Sequence, residues 1–189
     1  MSTAAACSRV VPHATAPALP ETHSPAFLRT HARDTLSFWA RHELMAPEGG
    51  LFHCLDDGGR VYDARTRHLV SSTRLVVQFA WAITQNIPLL PGAPTWRELL
   101  DSCLGFLRTY HYVPKTGGYR WSITVGGPST TGTETISHDD NTNRSYGLAF
   151  VLLAYSAALD AGVEGTRALV DEVTATLTAH FWEEVRTQT

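Results

Sequence analysis

The run "RHLVSSTRLVVQFAWAITQN" (residues 67–86) reads as a helix apolar on almost every side, yet it carries Arg74 about one turn in, behind Ser71, Ser72 and Thr73. A guanidinium taken from water without a partner is strongly destabilising. Arg74 is therefore expected to snorkel, to bridge an acid such as Asp56 or Asp63, or to face a cavity. In a cavity it can meet a substrate oxygen that gains negative charge during a reaction. Phe52, Tyr62, Tyr119 and Trp121 fall near the tips of two strand-like segments. Rings and hydrogen-bonding groups around a concavity suit a sugar, whose C–H faces pack on rings while its hydroxyls demand partners.

Other chemistry-bearing patterns are weaker. "ISHDDNTN" (residues 136–143) fits neither the oxygen spacing of a calcium loop nor the ligand spacing of a zinc site, so Asp139, Asp140 or Asn141 is expected to cap the helix that follows. "TVGGPSTTGTE" (residues 124–134) lacks the GxxxxGK[ST] phosphate-loop pattern and reads as a loop. No Gly-x-Ser-x-Gly elbow supports a serine hydrolase. A glycoside hydrolase needs two carboxylates flanking a sugar bond, and among Asp56, Asp57, Asp63, Asp139 and Asp140 nothing selects a pair. A non-catalytic helical module would use Arg74 and the aromatics to bind carbohydrate without chemistry. Three cysteines without CxxC spacing argue against a disulfide framework or a thiolate zinc site and for a reducing, cytoplasmic setting.

The elements that must position these residues follow from hydrophobic period. Helices are expected over residues 24–45, 67–86, 95–112, 143–162 and 165–184. The first, third and fifth carry one apolar stripe, with Trp96, Leu99, Leu100, Cys103, Leu104, Leu107 and Tyr110 in line on the third. The second and fourth are apolar nearly all round. "GGLFHCLDDGGRVYD" (residues 49–63) is a hairpin signal, and "GGYRWSITVGGPSTTGTE" (residues 117–134) is a second aromatic strand with a Gly-rich return. Alternation of one-faced and all-apolar helices describes two concentric layers, an all-α toroid of α/α type with a short hairpin before each inner helix; the competing architecture, a solenoid of stacked helix pairs, gives less reason for inner helices so completely apolar. The hairpins then rim the end where the inner-helix N-termini add partial positive charge.

Composition bounds the rest. The chain has 189 residues, 43% hydrophobic and 17% charged, with a formal net charge of -3 and no long run of one sign, which gives no footprint for nucleic acid or an anionic membrane. No run reaches the roughly 18 apolar residues of a membrane span, so a soluble protein is expected. Residues 1–24, rich in Ala, Thr and Pro, read as a disordered leader, and residues 25–189 as one domain.

Taken together, "TRHLVSSTRLVVQFAWA", "GGYRWSI" and "NRSYGLAFVLLAYSAA" resemble the N-acylglucosamine 2-epimerase superfamily, above all its branch of mannose and related aldose–ketose isomerases. The resemblance covers roughly residues 25–189. It implies an (α/α)6 barrel and interconversion of a free monosaccharide at C1 and C2, by epimerisation or aldose–ketose isomerisation, without metal or redox cofactor. A histidine would move the C2 proton, and polar neighbours would stabilise an enediolate. By the same resemblance Arg74 matches an inner-helix arginine that contacts substrate oxygens near the reacting carbons. Tyr146 matches a tyrosine that hydrogen-bonds the sugar, and Trp121 the aromatic of the "GG-aromatic" strand. The branch usually has histidine where this chain has Leu148. Six helix pairs need roughly twice this length, so the resemblance implies an incomplete, N-terminal portion of the barrel. The proton-moving histidines would lie beyond residue 189, and the chain alone is expected to be inactive. An uncovered inner layer is expected to drive homodimerisation or association through the barrel edge, against which a stable monomer in size-exclusion chromatography would count.

Overall fold

The computed structural model describes residues 24–127, 135–140 and 144–182. Helix α1 runs Pro25–Trp39: Ser24 accepts the Phe27 N–H at 3.1 Å, and Pro25 occupies the first turn, where its missing N–H is harmless. It stops short of the expected Met45. Arg41 turns extended, and its Nε donates to the Phe38 carbonyl at 2.8 Å while Nη2 reaches the Gly59 carbonyl, so one side chain both satisfies a helix end and ties it to the first hairpin. That hairpin pairs β1 (Cys54–Leu55) with β2 (Val61–Asp63), and the Asp56 carboxylate holds its turn by accepting from the Gly58 and Arg60 amides.

Strand β3 (Thr66–His68) leads directly into α2 (Leu69–Thr84). A capping box of Thr95 and Glu98 starts α3 (Trp96–Phe106), which continues as a π-helical turn over Leu107–His111. A second hairpin joins β4 (Tyr112–Val113) to β5 (Gly118–Tyr119). Strands β6 (Ser122–Gly127) and β7 (Thr135–Asp140) follow, then α4 (Ser145–Asp160) and α5 (Thr166–Phe181). Two expectations are corrected here. Residues 124–127, read as loop, belong to β6, because Thr124 pairs with Thr66 of β3. Asp139 and Asp140 lie in β7 and do not cap α4, whose N-cap is Arg144 with no side-chain cap; Asn141 lies outside the described residues.

The sheet order β3-β6-β7 links the entries of the two apolar helices: β3 runs into α2, and β7 precedes α4. The Leu69 amide completes the link by donating to the Trp121 carbonyl at 2.9 Å. Helices α2 and α4 pack along each other, α1 and α3 flank α2, and α5 flanks α4. The core between them includes Leu36, Val76, Phe79, Leu100, Leu148, Val151 and Tyr155. Both apolar helices keep an open face, shown by Trp81 at 43% exposure and Leu153 at 50%. Among the described residues no helix is long and apolar enough to cross a membrane.

The buried cation is not the one the apolar run suggested. Arg67 is 1% exposed and pairs with Glu48 at 2.9 Å; its Nη1 donates to the Ala64 and Thr66 carbonyls, and its guanidinium lies 4.7 Å from the Phe52 ring centre. Arg74 is exposed and forms no ion pair with the described residues, since Asp56 bridges Arg60 and Asp63 accepts from the Arg65 and Thr66 amides. The physical cause is the chain's state at this point. Residues 66–68 are strand, so alternate side chains face opposite ways, and Arg67 is turned into the protein.

His111 is fully buried and satisfied at both nitrogens: Nδ1–H donates to the Arg120 carbonyl at 2.9 Å, and Nε2 accepts from the Ser72 hydroxyl at 3.2 Å. Burial pushes its pKa down to about 4, despite the hydrogen bond to Arg120. Below about pH 6.5 the unfolded imidazole takes up a proton that the folded ring refuses. Stability is therefore expected to fall as pH drops from about 6.5 to 4, by on the order of 3 kcal/mol from this residue, and to be insensitive to it above that window. Thermal unfolding of wild type and His111→Gln across that range checks this. An unchanged slope in the variant would refute it.

Candidate active site

The strand-to-helix junctions place six side chains side by side. In the β3–β6 ladder His68 stands opposite Ser122, which brings its ring against the preceding Trp121: the centroids are 4.6 Å apart and the planes nearly perpendicular. Arg144 lays its guanidinium over the Trp121 ring at 4.7 Å. On α4, Tyr146 and Phe150 are one turn apart, so they share a face; Tyr146 lies 6.2 Å from Trp121 and 5.0 Å from Phe150. Phe150 in turn meets Arg74, whose guanidinium sits 5.1 Å from the ring centre. The result is a continuous arc: Arg144, Trp121 with His68, Tyr146, Phe150, Arg74.

Gly147 permits the close approach on which the arc depends. A Cβ there would fall 2.9 Å from Leu69 Cδ2 and 3.3 Å from Trp121 Cζ3, so any side chain would wedge α4 away from α2 and the tryptophan. Tyr146 is 55% exposed, so the arc is an open wall rather than a core cluster. Arginine stacked on an aromatic face is held in place by the ring quadrupole while its N–H groups remain free to bind. The Arg74 end of the wall is built that way, and at the other end Arg144 stacks on Trp121. The N-terminal ends of α2 and α4 add partial positive charge.

His68 is held at the start of α2. Its Nδ1 accepts the Val70 N–H at 3.3 Å, capping the helix, and its own amide donates to His53 Nε2 at 3.3 Å. Burial, together with the Arg144 and Arg74 charges, holds its pKa below the usual value. Beyond Arg74 lies a cavity of about 220 Å³ lined by Trp39, His53, Ser71, Leu75 and Gln78 as well as Arg74 itself. His53 is neutral there, burial and then Arg67 lowering its pKa to about 4.

All three residues selected from the sequence, Arg74, Trp121 and Tyr146, thus meet in one wall. The other hairpin aromatics do not. Phe52 stacks beneath Arg67, Tyr62 stands 73% exposed on β2, and Tyr119 is buried with its hydroxyl 2.9 Å from that of Tyr155. Arg144, Phe150 and His68 were not singled out as site residues. Phe150 was signalled by its four-residue spacing from Tyr146 on a helix. The place of His68 depends on the β3–β6 register, which is not readable locally, and Arg144 sits at the N-cap of α4. Among the described residues no group of three or more His, Cys, Asp or Glu is arranged to hold a metal ion.

A model of the N-acylglucosamine 2-epimerase (GlcNAc 2-epimerase) family matches residues 50–189, which contain the whole wall. The chain belongs to that family. A relative from Marinomonas mediterranea named D-mannose isomerase is 36% identical over 164 residues, which are 87% of this chain and 37% of the relative. A crystal structure of D-mannose isomerase matches with a TM-score of 0.73 at 35% identity, covering 87% of this chain and 38% of that one. This N-acylglucosamine 2-epimerase family chain therefore spans less than half the length of both relatives. Leu148, the departure from the histidine that the resemblance implies for the isomerase branch, is fully buried and brings no polar atom to the wall.

Proposed function

We propose that this chain forms part of a sugar isomerase that interconverts a free aldose and its ketose, mannose and fructose being the first pair to try, through an enediolate held on the Arg144–Trp121–Tyr146–Phe150–Arg74 wall. In this reading α2 and α4 are inner helices of an α/α barrel, and α1, α3 and α5 belong to its outer layer. One observation carries it: three residues taken from separate stretches of sequence meet in a single aromatic and cationic wall, in a chain 36% identical to a protein named D-mannose isomerase.

The chemistry follows from the side chains. Trp121, Tyr146 and Phe150 offer rings to the C–H faces of a pyranose or open-chain sugar. Arg74 and Arg144 flank it as fixed cations, matched to the negative charge that develops on oxygen when the C2 proton leaves. The wall has no ready base, because the one imidazole in it has its Nδ1 lone pair committed to the Val70 amide. Residues 1–189 alone are accordingly expected to bind sugar without turning it over. Of the carboxylates the hydrolase alternative would draw on, Asp56 and Asp63 are spent on their own hairpin.

NMR of D-mannose, D-fructose and D-glucose in D2O tests the reading, with this chain and with a protein continued to the length of the two relatives. Deuterium at C2 with mannose–fructose conversion in the longer protein is the expected result. Disaccharide cleavage without exchange would replace the isomerase with a hydrolase. Sugar binding without exchange at either length would leave a binding module.

A further inference from the structure

We propose that His68 is a further catalytic residue: a neutral hydrogen-bond donor that presents Nε2–H to the sugar oxygen bearing the enediolate charge, keeping its own proton while a separate base moves the C2 proton. The inference rests on the isomerase reading and adds a residue and a role to its site.

Three features of His68 support this. First, its tautomer is set by the backbone. Nδ1 accepts the Val70 N–H at 3.3 Å, so in the neutral ring the proton must sit on Nε2. Second, its place is set by the ladder. His68 pairs opposite Ser122 and its ring meets Trp121 at 4.6 Å edge to face, on the wall that also carries Tyr146 and Arg144. The His68 amide is held in turn by His53 Nε2. Third, Nε2 has no hydrogen-bond partner among the described residues, and the side chain is only part-buried. A donor fixed in direction and left open on a sugar-binding wall has a ligand oxygen as its natural acceptor.

The charges around it agree with a donor rather than a base. Arg74 and Arg144 both disfavour imidazolium, as does the partial positive end of α2 that His68 caps. A neutral imidazole at a helix N-terminus, aimed at a carbonyl oxygen, polarises that oxygen without giving up its proton. His68 and Arg74 then act together: the imidazole donates one directed bond and the guanidinium supplies charge.

Two measurements on the 189-residue chain decide the matter. Long-range 1H–15N correlation of the histidine rings at pH 7 should show His68 as the neutral Nε2–H form. An Nδ1–H tautomer or an imidazolium there would overturn the proposal, whatever becomes of the isomerase reading. The second measurement compares binding of D-mannose with that of a five-carbon aldonic hydroxamate, whose two oxygens mimic a cis-enediolate. In His68→Asn the amide oxygen can still cap α2 while the Nε2–H is gone. That variant should melt near wild type, bind mannose within about 3-fold, and bind the hydroxamate about 10- to 100-fold more weakly, the range for a hydrogen bond to a charged group. His68→Gln, whose amide N–H reaches the Nε2 position, should recover part of the loss. Equal hydroxamate affinity in wild type and His68→Asn would sink the donor role alone. Failure of the wild type to bind either ligand would sink the isomerase reading and the donor role together.

Discussion

Arg67→Ala is expected to lose about 3–5 kcal/mol of stability, the usual result of stranding one partner of a buried ion pair. The wild-type guanidinium is 1% exposed, bonded to Glu48 at 2.9 Å and to the Ala64 and Thr66 carbonyls, and stacked on Phe52. Truncation leaves the Glu48 carboxylate, two carbonyls and an aromatic face without their partner in a region that water reaches poorly. Against a total stability of about 5–15 kcal/mol for a native domain, that is a large fraction. A companion double variant, Arg67→Met with Glu48→Leu, should recover most of the loss, because it removes both charges together and refills the space. Urea unfolding of the two proteins checks both statements. A loss under about 1 kcal/mol in Arg67→Ala would show that the pair is not holding β3 in place.

Arg74→Ala should behave in the opposite way, although the two arginines belong to one run of sequence. Arg74 is exposed and forms no ion pair with the described residues, so its removal should leave the melting temperature within about 2 °C of wild type, as surface substitutions do. Its effect should fall on ligand and turnover. Loss of a cation placed at developing negative charge typically lowers kcat by about 100- to 1,000-fold. That drop is the expectation for an active protein of the relatives' length, and weaker binding of an enediolate mimic is the expectation for this chain. Arg74→Lys should rescue little, since an ammonium lacks the planar fork and stacks less well on Phe150. A destabilised Arg74→Ala with undiminished kcat would reverse the roles assigned to Arg67 and Arg74.

The contrast between these arginines shows why one was legible and the other not. Period alone placed every helix, four of the five to within a few residues while α1 ends at Trp39 rather than Met45, because the apolar stripe of a helix is a local property of its sequence. The expected helix over residues 67–86 took in Arg67 and His68, yet both belong to β3, whose pairing partners lie at residues 122–124. Nothing within ten residues of Arg67 encodes that partner. In a strand, neighbours point to opposite faces, so this non-local pairing turned Arg67 inward to Glu48 and left His68 facing Trp121. The aromatic rim met the same limit. Four hairpin aromatics are equivalent by position, and of these only Trp121 joins the wall, because it immediately precedes β6, whose pairing with β3 sets it beside His68.

What the amino-acid order determined by itself was the number and rough extent of the helices, the alternation of one-faced with nearly all-apolar segments, and a set of chemically apt residues at the entries to the apolar helices. Each of these is a matter of side-chain type at short spacing. Tertiary structure alone decided which cation is buried, which aromatics share a wall, and which imidazole stands beside them. Those outcomes turn on the β3–β6 register and on the close α2–α4 approach that Gly147 allows, contacts between segments more than fifty residues apart whose energies no local pattern records.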